Sequence, residues 1–422
     1  MVPTLSLLAP LAVLPTVATQ YGPNGWQALA IASSVGAVAS VVVGLDWPVV
    51  GPHMVAISAR EQRPDVFRLS VRTRVVAYLM TAPLAVLVAT LIAGEQGWVV
   101  ALVALSTTAN GFTASWMCAG IGRPSLLIRN EALPRIVFNL ATIPIMLAGA
   151  PLVAYGIAMV ANTVLSVALN HASFSGRRAV RSGNDGRRAS GELLTQFRSH
   201  STGLPSRLLS TSYLYGSTAL VSTLHPTAAT SFAAIDRLQK SGVNALQLLP
   251  ATGASYVSQA GSSHASLIGR VINVRRWALA LALLTTGASG WLLPPLVHIV
   301  YAGQVSLQPT VQWAVAVGLG FACLERCTGQ LCLVPLGRQA ALYRATAAAA
   351  ALGLTALVVL PVFMGLLGAV LAFAAAEGLL AAIQAAVLHS SIKQSRAGRA
   401  VATGGAASAD LTEASHSSRD GS

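Results

Sequence analysis

The sequence predicts an all-α integral membrane protein of about twelve transmembrane helices, arranged as two six-helix bundles. Three observations predict it. Hydrophobic residues make up 54% of the chain and charged residues only 9%, with a mean hydropathy of +0.65, a balance outside the range of soluble domains. The apolar residues gather in runs of about 20, the length that crosses a hydrocarbon core. The runs are continuous rather than alternating, which selects helices over a membrane barrel, the two folds whose backbones satisfy their own hydrogen bonds in lipid.

Taken in order, the runs place helices at about 2–20, 26–57, 75–93, 98–118, 133–149 and 151–172, then at about 202–223, 227–257, 277–298, 311–334, 345–363 and 366–389. The first carries Pro3, Pro10 and Pro15 and has no Lys or Arg before it. It therefore lacks the basic n-region of a signal peptide and reads as a true first helix. Composition sets the larger divisions. Residues 1–173 form the N-terminal bundle, and 174–200 a cytoplasmic basic linker with Arg177, Arg178, Arg181, Arg187 and Arg188 among Gly, Ser and Asn. Residues 201–390 form the C-terminal bundle, and 391–422 a disordered tail rich in Ser, Ala and Gly.

Basic loops stay on the cytoplasmic side because translocating them is costly. With both termini in the cytoplasm, the inner segments hold 24 of the 27 basic residues, including Arg60, Arg63, Arg68, Arg72, Arg74, Arg123 and Arg207. The outer connections at 94–97, 225–226 and 364–365 hold none. This sorting predicts a multi-pass protein of the inner, cytoplasmic membrane. It also accounts for the net charge of +14, which serves anionic membrane lipids rather than nucleic acid.

The chain has no Gly-rich phosphate loop of the Walker type. Cys323, Cys327 and Cys332 share one predicted helix, Cys118 lies elsewhere, and neither a CxxC pattern nor a His partner gives metal-ligand spacing. The expectation is a protein that is not an enzyme and carries no cofactor and no metal, with any transport driven by a gradient or by the substrate. A repeat supports two related halves: Gly122, Arg123, Leu127 and Arg129 recur as Gly337, Arg338, Leu342 and Arg344, an offset of 215.

The three basic residues inside predicted helices are Arg237, Lys240 and Arg326. A charge at mid-membrane costs about 2.5–3.5 kcal/mol or more unless it meets water or a partner. On the eighth predicted helix Asp236, Arg237, Lys240, Asn244 and Gln247 fall within about 100° of the circumference, with Ser255 and Ser258 in the same arc. Such a stripe lines a wet cavity or a polar helix interface. Asp236 and Lys240, at i and i+4, can also neutralise each other in a packed cluster. The net excess of one cation suits an anion-attracting cavity. Glu325 and Arg326 on the tenth helix, Glu377 in the middle of the twelfth and Asp46 beside Trp47 and Pro48 are candidates for ion coupling or for pairing between helices.

The string Phe232-Ala233-Ala234-Ile235-Asp236-Arg237-Leu238, with Pro250 and Ser258 after it, resembles the corresponding helix of the MOP flippase superfamily, in particular its polysaccharide (Wzx-like) flippase branch. Trp116 to Arg123 is similar to that group's fourth-helix exit, and Gly365 to Ala369, followed by Glu377, to the turn before its last helix. The resemblance implies a V-shaped, MATE-like pair of six-helix lobes that alternate between inward-open and outward-open states. It implies a cargo of polyprenyl-pyrophosphate-linked oligosaccharide for cell-surface polysaccharide biosynthesis, with glycosyltransferases or a polymerase of the same pathway as partners. Arg237 inherits the contact to the pyrophosphate, and Lys240 joins it from the helical wheel. The first two helices contain no Lys or Arg, a departure that favours the polysaccharide branch over lipid II flippases. A multidrug or cation exporter of the same superfamily is the alternative and would want an acidic or aromatic cavity. A membrane-embedded sugar polymerase or ligase would carry a large outer loop, which the sequence lacks.

Overall fold

The computed structural model describes residues 2–94, 96–175, 204–247, 249–250, 253, 256–257 and 264–417. All of its elements are helices, and no strand occurs among the described residues. Helix α1 (Val2–Gly44) is followed by α2 (Trp47–Ile57), α3 (Arg63–Ala93), α4 (Gly97–Thr108), a 3-10 turn (Ala109–Phe112) and α5 (Ser115–Gly120). Then come α6 (Pro124–Leu127), a π-turn (Ile128–Ala132), α7 (Leu133–Leu147) and α8 (Val153–Phe174). The second half holds α9 (Leu204–Leu224), α10 (Pro226–Leu246), α11 (His264–Val300), α12 (Pro309–Thr328), a π-turn (Gly329–Leu333) and α13 (Gln339–Ser417). The 174–200 linker lies outside the described residues except for its first two positions.

Six stretches, from Ala9–Ile57 to Gln339–Gln394, are long and apolar enough to cross a membrane by length and composition. The two longest fold back on themselves. Gly22 (φ 64°, ψ −163°) breaks α1 and Gly365 (φ 53°, ψ −130°) breaks α13, both in backbone regions that only glycine reaches cheaply. A Cβ on Gly368 would overlap the Leu360 carbonyl, eight residues back, a proximity that a continuous helix, rising about 1.5 Å per residue, cannot give.

The packing explains the shape. One large core cluster joins both halves at the end that carries few charges, from Val13, Leu14 and Trp26 through Phe232 and Tyr301 to Phe373. At the opposite, arginine-rich end the core divides in two. Trp47, Phe67, Trp116 and Phe174 pack in the first half, and Val271, Leu331, Leu333 and Leu388 in the second. The lobes are therefore fused at one end and separate at the basic end, which gives the V that the resemblance implies.

The repeat reappears in the backbone. Gly122 (φ 68°) and Gly337 (φ 72°) both turn left-handed. Gly122 N–H donates to Ala119 O at 3.1 Å and Arg123 N–H to Cys118 O at 3.0 Å; Gly337 donates to Val334 O at 3.0 Å and Arg338 to Leu333 O at 2.9 Å. Every partner keeps the 215-residue offset.

Some boundaries differ from those expected. Helix α3 starts at Arg63 rather than 75, and α11 at His264 rather than 277, because hydropathy detects only the part of a helix in hydrocarbon, whereas arginine-bearing turns continue the helix beyond it. The second pass is not continuous, since Leu45 turns left-handed (φ 48°) between α1 and α2. Helix α13 is described to Ser417, past residue 390 where the disordered tail is expected; that stretch is rich in alanine, the strongest helix former. Arg74, counted among inner-segment residues, is a fully buried helix residue.

Candidate functional site

The seam between the lobes is closed at the fused end by neutral contacts. Trp26 Nε1 donates to Thr230 O at 3.3 Å, Thr230 Oγ1 to Gln27 Oε1 at 2.5 Å and Gln304 Nε2 to Ala18 O at 2.9 Å. The Trp26 and Tyr301 rings meet edge-on at 5.0 Å. Deeper, Ser34 Oγ donates to Tyr215 O at 2.5 Å and accepts Ala219 N–H at 3.2 Å.

Toward the basic end the seam widens into a cavity of about 800 Å³. Its uncharged polar wall comes from Ser210, Gln247, Gln330, Tyr343 and Thr346, and its charged residues are Asp46, Arg207, Glu325 and Arg326. Arg207 and Arg326 each lie 17 residues along their helices from the fused end, roughly 26 Å, which is near the far boundary of a hydrocarbon core about 30 Å thick. The cavity therefore sits at the level where lipid headgroups begin.

Two ion pairs hold its charges. Arg207 Nη1, on the second lobe, reaches across to Leu45 O at 2.5 Å and Asp46 Oδ1 at 3.2 Å on the first. Those acceptors lie at the break between α1 and α2, where the left-handed Leu45 leaves the helix. The cap on the broken helix thus comes from the opposite lobe. In the second pair Arg326 Nη1 is 2.6 Å from Glu325 Oε1 and 3.9 Å from Glu377 Oε2, while Gln384 Nε2 donates to Glu325 Oε2 at 3.3 Å. Glu377 is 5% exposed and its Oε2 accepts no hydrogen bond among the described residues. Two buried carboxylates thus share one guanidinium.

The polar arc of α10 divides. Asp236 accepts from Ser217 Oγ at 3.1 Å and Thr218 Oγ1 at 2.5 Å and pairs with Lys240 Nζ at 2.5 Å. Lys240 also donates to Tyr215 O at 3.3 Å, and Tyr215 OH donates to Asn244 Oδ1 at 3.2 Å. Asp236 and Lys240 border a residual void of about 10 Å³ inside the second lobe, room for at most one water. Of the five arc residues only Gln247 lines the large cavity. A helical wheel reports that residues share a face, not what that face meets; here it meets the hydroxyls of α9. Arg237 stands apart, its Nη1 buried and without a hydrogen-bond partner among the described residues. The charged wall of the cavity is balanced, two residues of each sign, rather than net cationic.

Sequence reasoning assigned no site role to Arg207, Arg74 or Glu131. Arg207 looked like one more inner-end arginine, and its partner Leu45 O, a backbone atom, carries no signature. Arg74 donates through Nη1 to Gly111 O and Thr113 O, both at 2.9 Å. Glu131 accepts from Thr113 Oγ1 at 2.6 Å, Ala114 N at 2.7 Å and Asn170 Nδ2 at 2.9 Å. Both brace the interruption between α4 and α5. No group of His, Cys, Asp or Glu among the described residues could hold a metal ion.

Neither a protein-family model nor a curated protein matches the chain. Solved structures do. The chain superposes on the inward-facing conformation of a multidrug resistance MATE family transporter of the MOP superfamily with a TM-score of 0.59 and 12% identity, over 93% of this chain and 95% of that one. It also aligns with the eukaryotic MATE transporter AtDTX14 at a TM-score of 0.44 and 13% identity, over 93% and 98% of the two chains. The first likeness establishes the fold, the all-α fold of that transporter.

Proposed function

We propose that the chain is a membrane transporter working by alternating access, and that it carries a lipid-linked oligosaccharide from the cytoplasmic to the outer face of the membrane. The observation that supports this reading is the cavity of about 800 Å³ between lobes that are fused at one end and parted at the other. Its wall of amides and hydroxyls suits a hydroxyl-rich head, and its depth matches the headgroup layer. A lipid tail can stay in the bilayer while only the head crosses, so no covalent chemistry is needed. Cations stand at two depths along the path, with Arg207 and Arg326 in the cavity and Arg237 closer to mid-membrane, Nη1 unpaired. Loaded and empty cavities need only differ in their affinity for the two states.

The test uses proteoliposomes carrying a fluorescent polyprenyl-pyrophosphate-linked sugar, with an impermeant quencher reporting which leaflet holds the head. The protein is expected to accelerate exchange between leaflets. Arg237→Ala is expected to abolish it at unchanged protein abundance, and Arg237→Lys to retain part, since charge survives without the guanidinium fork. Exchange by Arg237→Ala at the wild-type rate would overturn the assignment of Arg237.

One observation favours a second reading. The buried acids Glu325 and Glu377 sharing a single Arg326 leave one negative charge in excess, a setting that suits export of an organic cation, the class suggested by the multidrug transporter of the same fold. Efflux of ethidium from the same vesicles, with no sugar-lipid exchange, would select it.

A further inference from the structure

Outside the seam, a second concavity of about 360 Å³ lies at the basic end of the first lobe. Arg60, Arg63 and Arg123 converge on it from the α2–α3 turn, the start of α3 and the α5–α6 turn, and Met117, Ile121 and Phe174 form an apolar back wall. Among the described residues none of the three guanidinium groups forms an ion pair or donates a hydrogen bond, and Arg63 Nε is buried without an acceptor. The nearby acids do not supply one. Asp65 is held by Arg68 at 2.9 Å, and Glu61 is exposed in the turn. Ser173, also on the wall, is already engaged by Arg129 Nη2 and Asn130 Nδ2, both at 3.0 Å. Arg338, the repeat counterpart of Arg123, has an acceptor, Gln394 Oε1 at 2.8 Å.

Arg60 and Arg123 are exposed and Arg63 half-buried, so water screens much of their mutual repulsion, but three guanidinium groups lining one hollow still give it a positive potential that favours an anion. The depth identifies the anion. Phe174 lies 21 residues along the continuous helix α8 from the fused end, roughly 32 Å, just past a hydrocarbon core about 30 Å thick. An arginine-lined hollow with an apolar floor at that level matches a phosphodiester carrying acyl chains. We propose that this pocket binds an anionic phospholipid of the cytoplasmic leaflet. Arg60, Arg63 and Arg123 hold the phosphate, and the first methylenes lie on Met117, Ile121 and Phe174. The site is separate from the transport cavity and does not depend on the nature of the cargo.

Native mass spectrometry of the full-length protein from detergent, titrated with short-chain phosphatidylglycerol, tests this. One phosphatidylglycerol is expected to be retained, in preference to phosphatidylcholine. Arg60→Gln/Arg63→Gln/Arg123→Gln should lower its affinity at least about tenfold, whereas Arg72→Gln/Arg276→Gln/Arg344→Gln, which removes the same charge from other exposed positions, should lower it less than about twofold. Arg63→Lys/Arg123→Lys should bind in between, which keeps the proposal testable if the glutamine variant does not fold. Equal losses in the two glutamine variants, or equal binding of the two lipids, would show only diffuse surface charge and overturn the site. Thermal stabilisation by inorganic phosphate equal to that by phosphatidylglycerol at the same concentration would assign the pocket to a soluble phosphate and overturn the lipid.

Discussion

The first lobe buries Arg74 at 0% exposure, and the second buries Asp236 at 5% and Glu377 at 5%, yet the two lobes satisfy these charges differently. Arg74 takes the Gly111 and Thr113 carbonyls on one side of the interruption in the fourth pass and lies 5.6 Å from the Trp116 ring, while Glu131 takes the Ala114 N–H on the other side. In the first lobe, charge repairs broken backbone. In the second, Asp236 meets Lys240 and Glu325 meets Arg326 directly, side chain to side chain, on unbroken stretches of helix. A pair of that kind can come apart without unravelling a helix. Under the proposed alternating-access function, the second lobe therefore holds the charges that can change partners, and the first lobe those that hold its backbone together.

The largest effect is expected at Arg74. Arg74→Met removes the donor from the Gly111 and Thr113 carbonyls and should cost about 3–5 kcal/mol, seen as a lower unfolding temperature in detergent. Arg74→Lys should recover only part, since one ammonium cannot reproduce the fork. A smaller loss, about 2–3 kcal/mol, is expected for Asp236→Asn, which leaves Lys240 buried opposite a neutral amide. Asp236→Asn/Lys240→Gln should regain most of it. If Arg74→Met proves mild, or the double variant is no more stable than Asp236→Asn, the distinction between the lobes fails.

Much of this was legible beforehand, and the boundary of legibility is physical. Hydropathy reveals the all-helical, apolar character of the chain, because burial in hydrocarbon acts on composition alone, and the recurring Gly-Arg-Leu-Arg positions reveal the repeat. Gly122 and Gly337 were legible as members of the repeat, while their left-handed turns (φ 68° and 72°) appear only in the backbone. The neighbours of α10 were not: the arc of Asp236, Lys240 and Asn244 was visible, but Ser217 and Thr218 look like ordinary helix residues until packing brings them to Asp236. Leu45 was hidden for the opposite reason. A leucine with φ 48° defies local preference, at a cost of about 1–3 kcal/mol, and is held there by a contact 162 residues away in sequence.

That contact gives the smallest and most specific prediction. Arg207 is 27% exposed along its side chain and Asp46 is 2% exposed, so the pair is partly screened and should contribute about 1 kcal/mol. Among the described residues it is the ion pair that joins the two lobes, and it does so at the parted end, where the fused-end core gives no support. Arg207→Gln should therefore favour states in which that end opens further. The four native cysteines are all buried, so a Gln247→Cys reporter in the cavity reads the opening with little background. Its rate of modification by a bulky impermeant maleimide should rise, by at most about fivefold for 1 kcal/mol. Asp46→Asn should raise it less, because Arg207 keeps the Leu45 carbonyl, whereas a Gln27→Cys reporter at the sealed end should be modified no faster in either variant. Equal acceleration of the two reporters would mean that the lobes had loosened as a whole. A slower Gln247→Cys reaction would mean that the pair props the cavity open, the reverse of a tether.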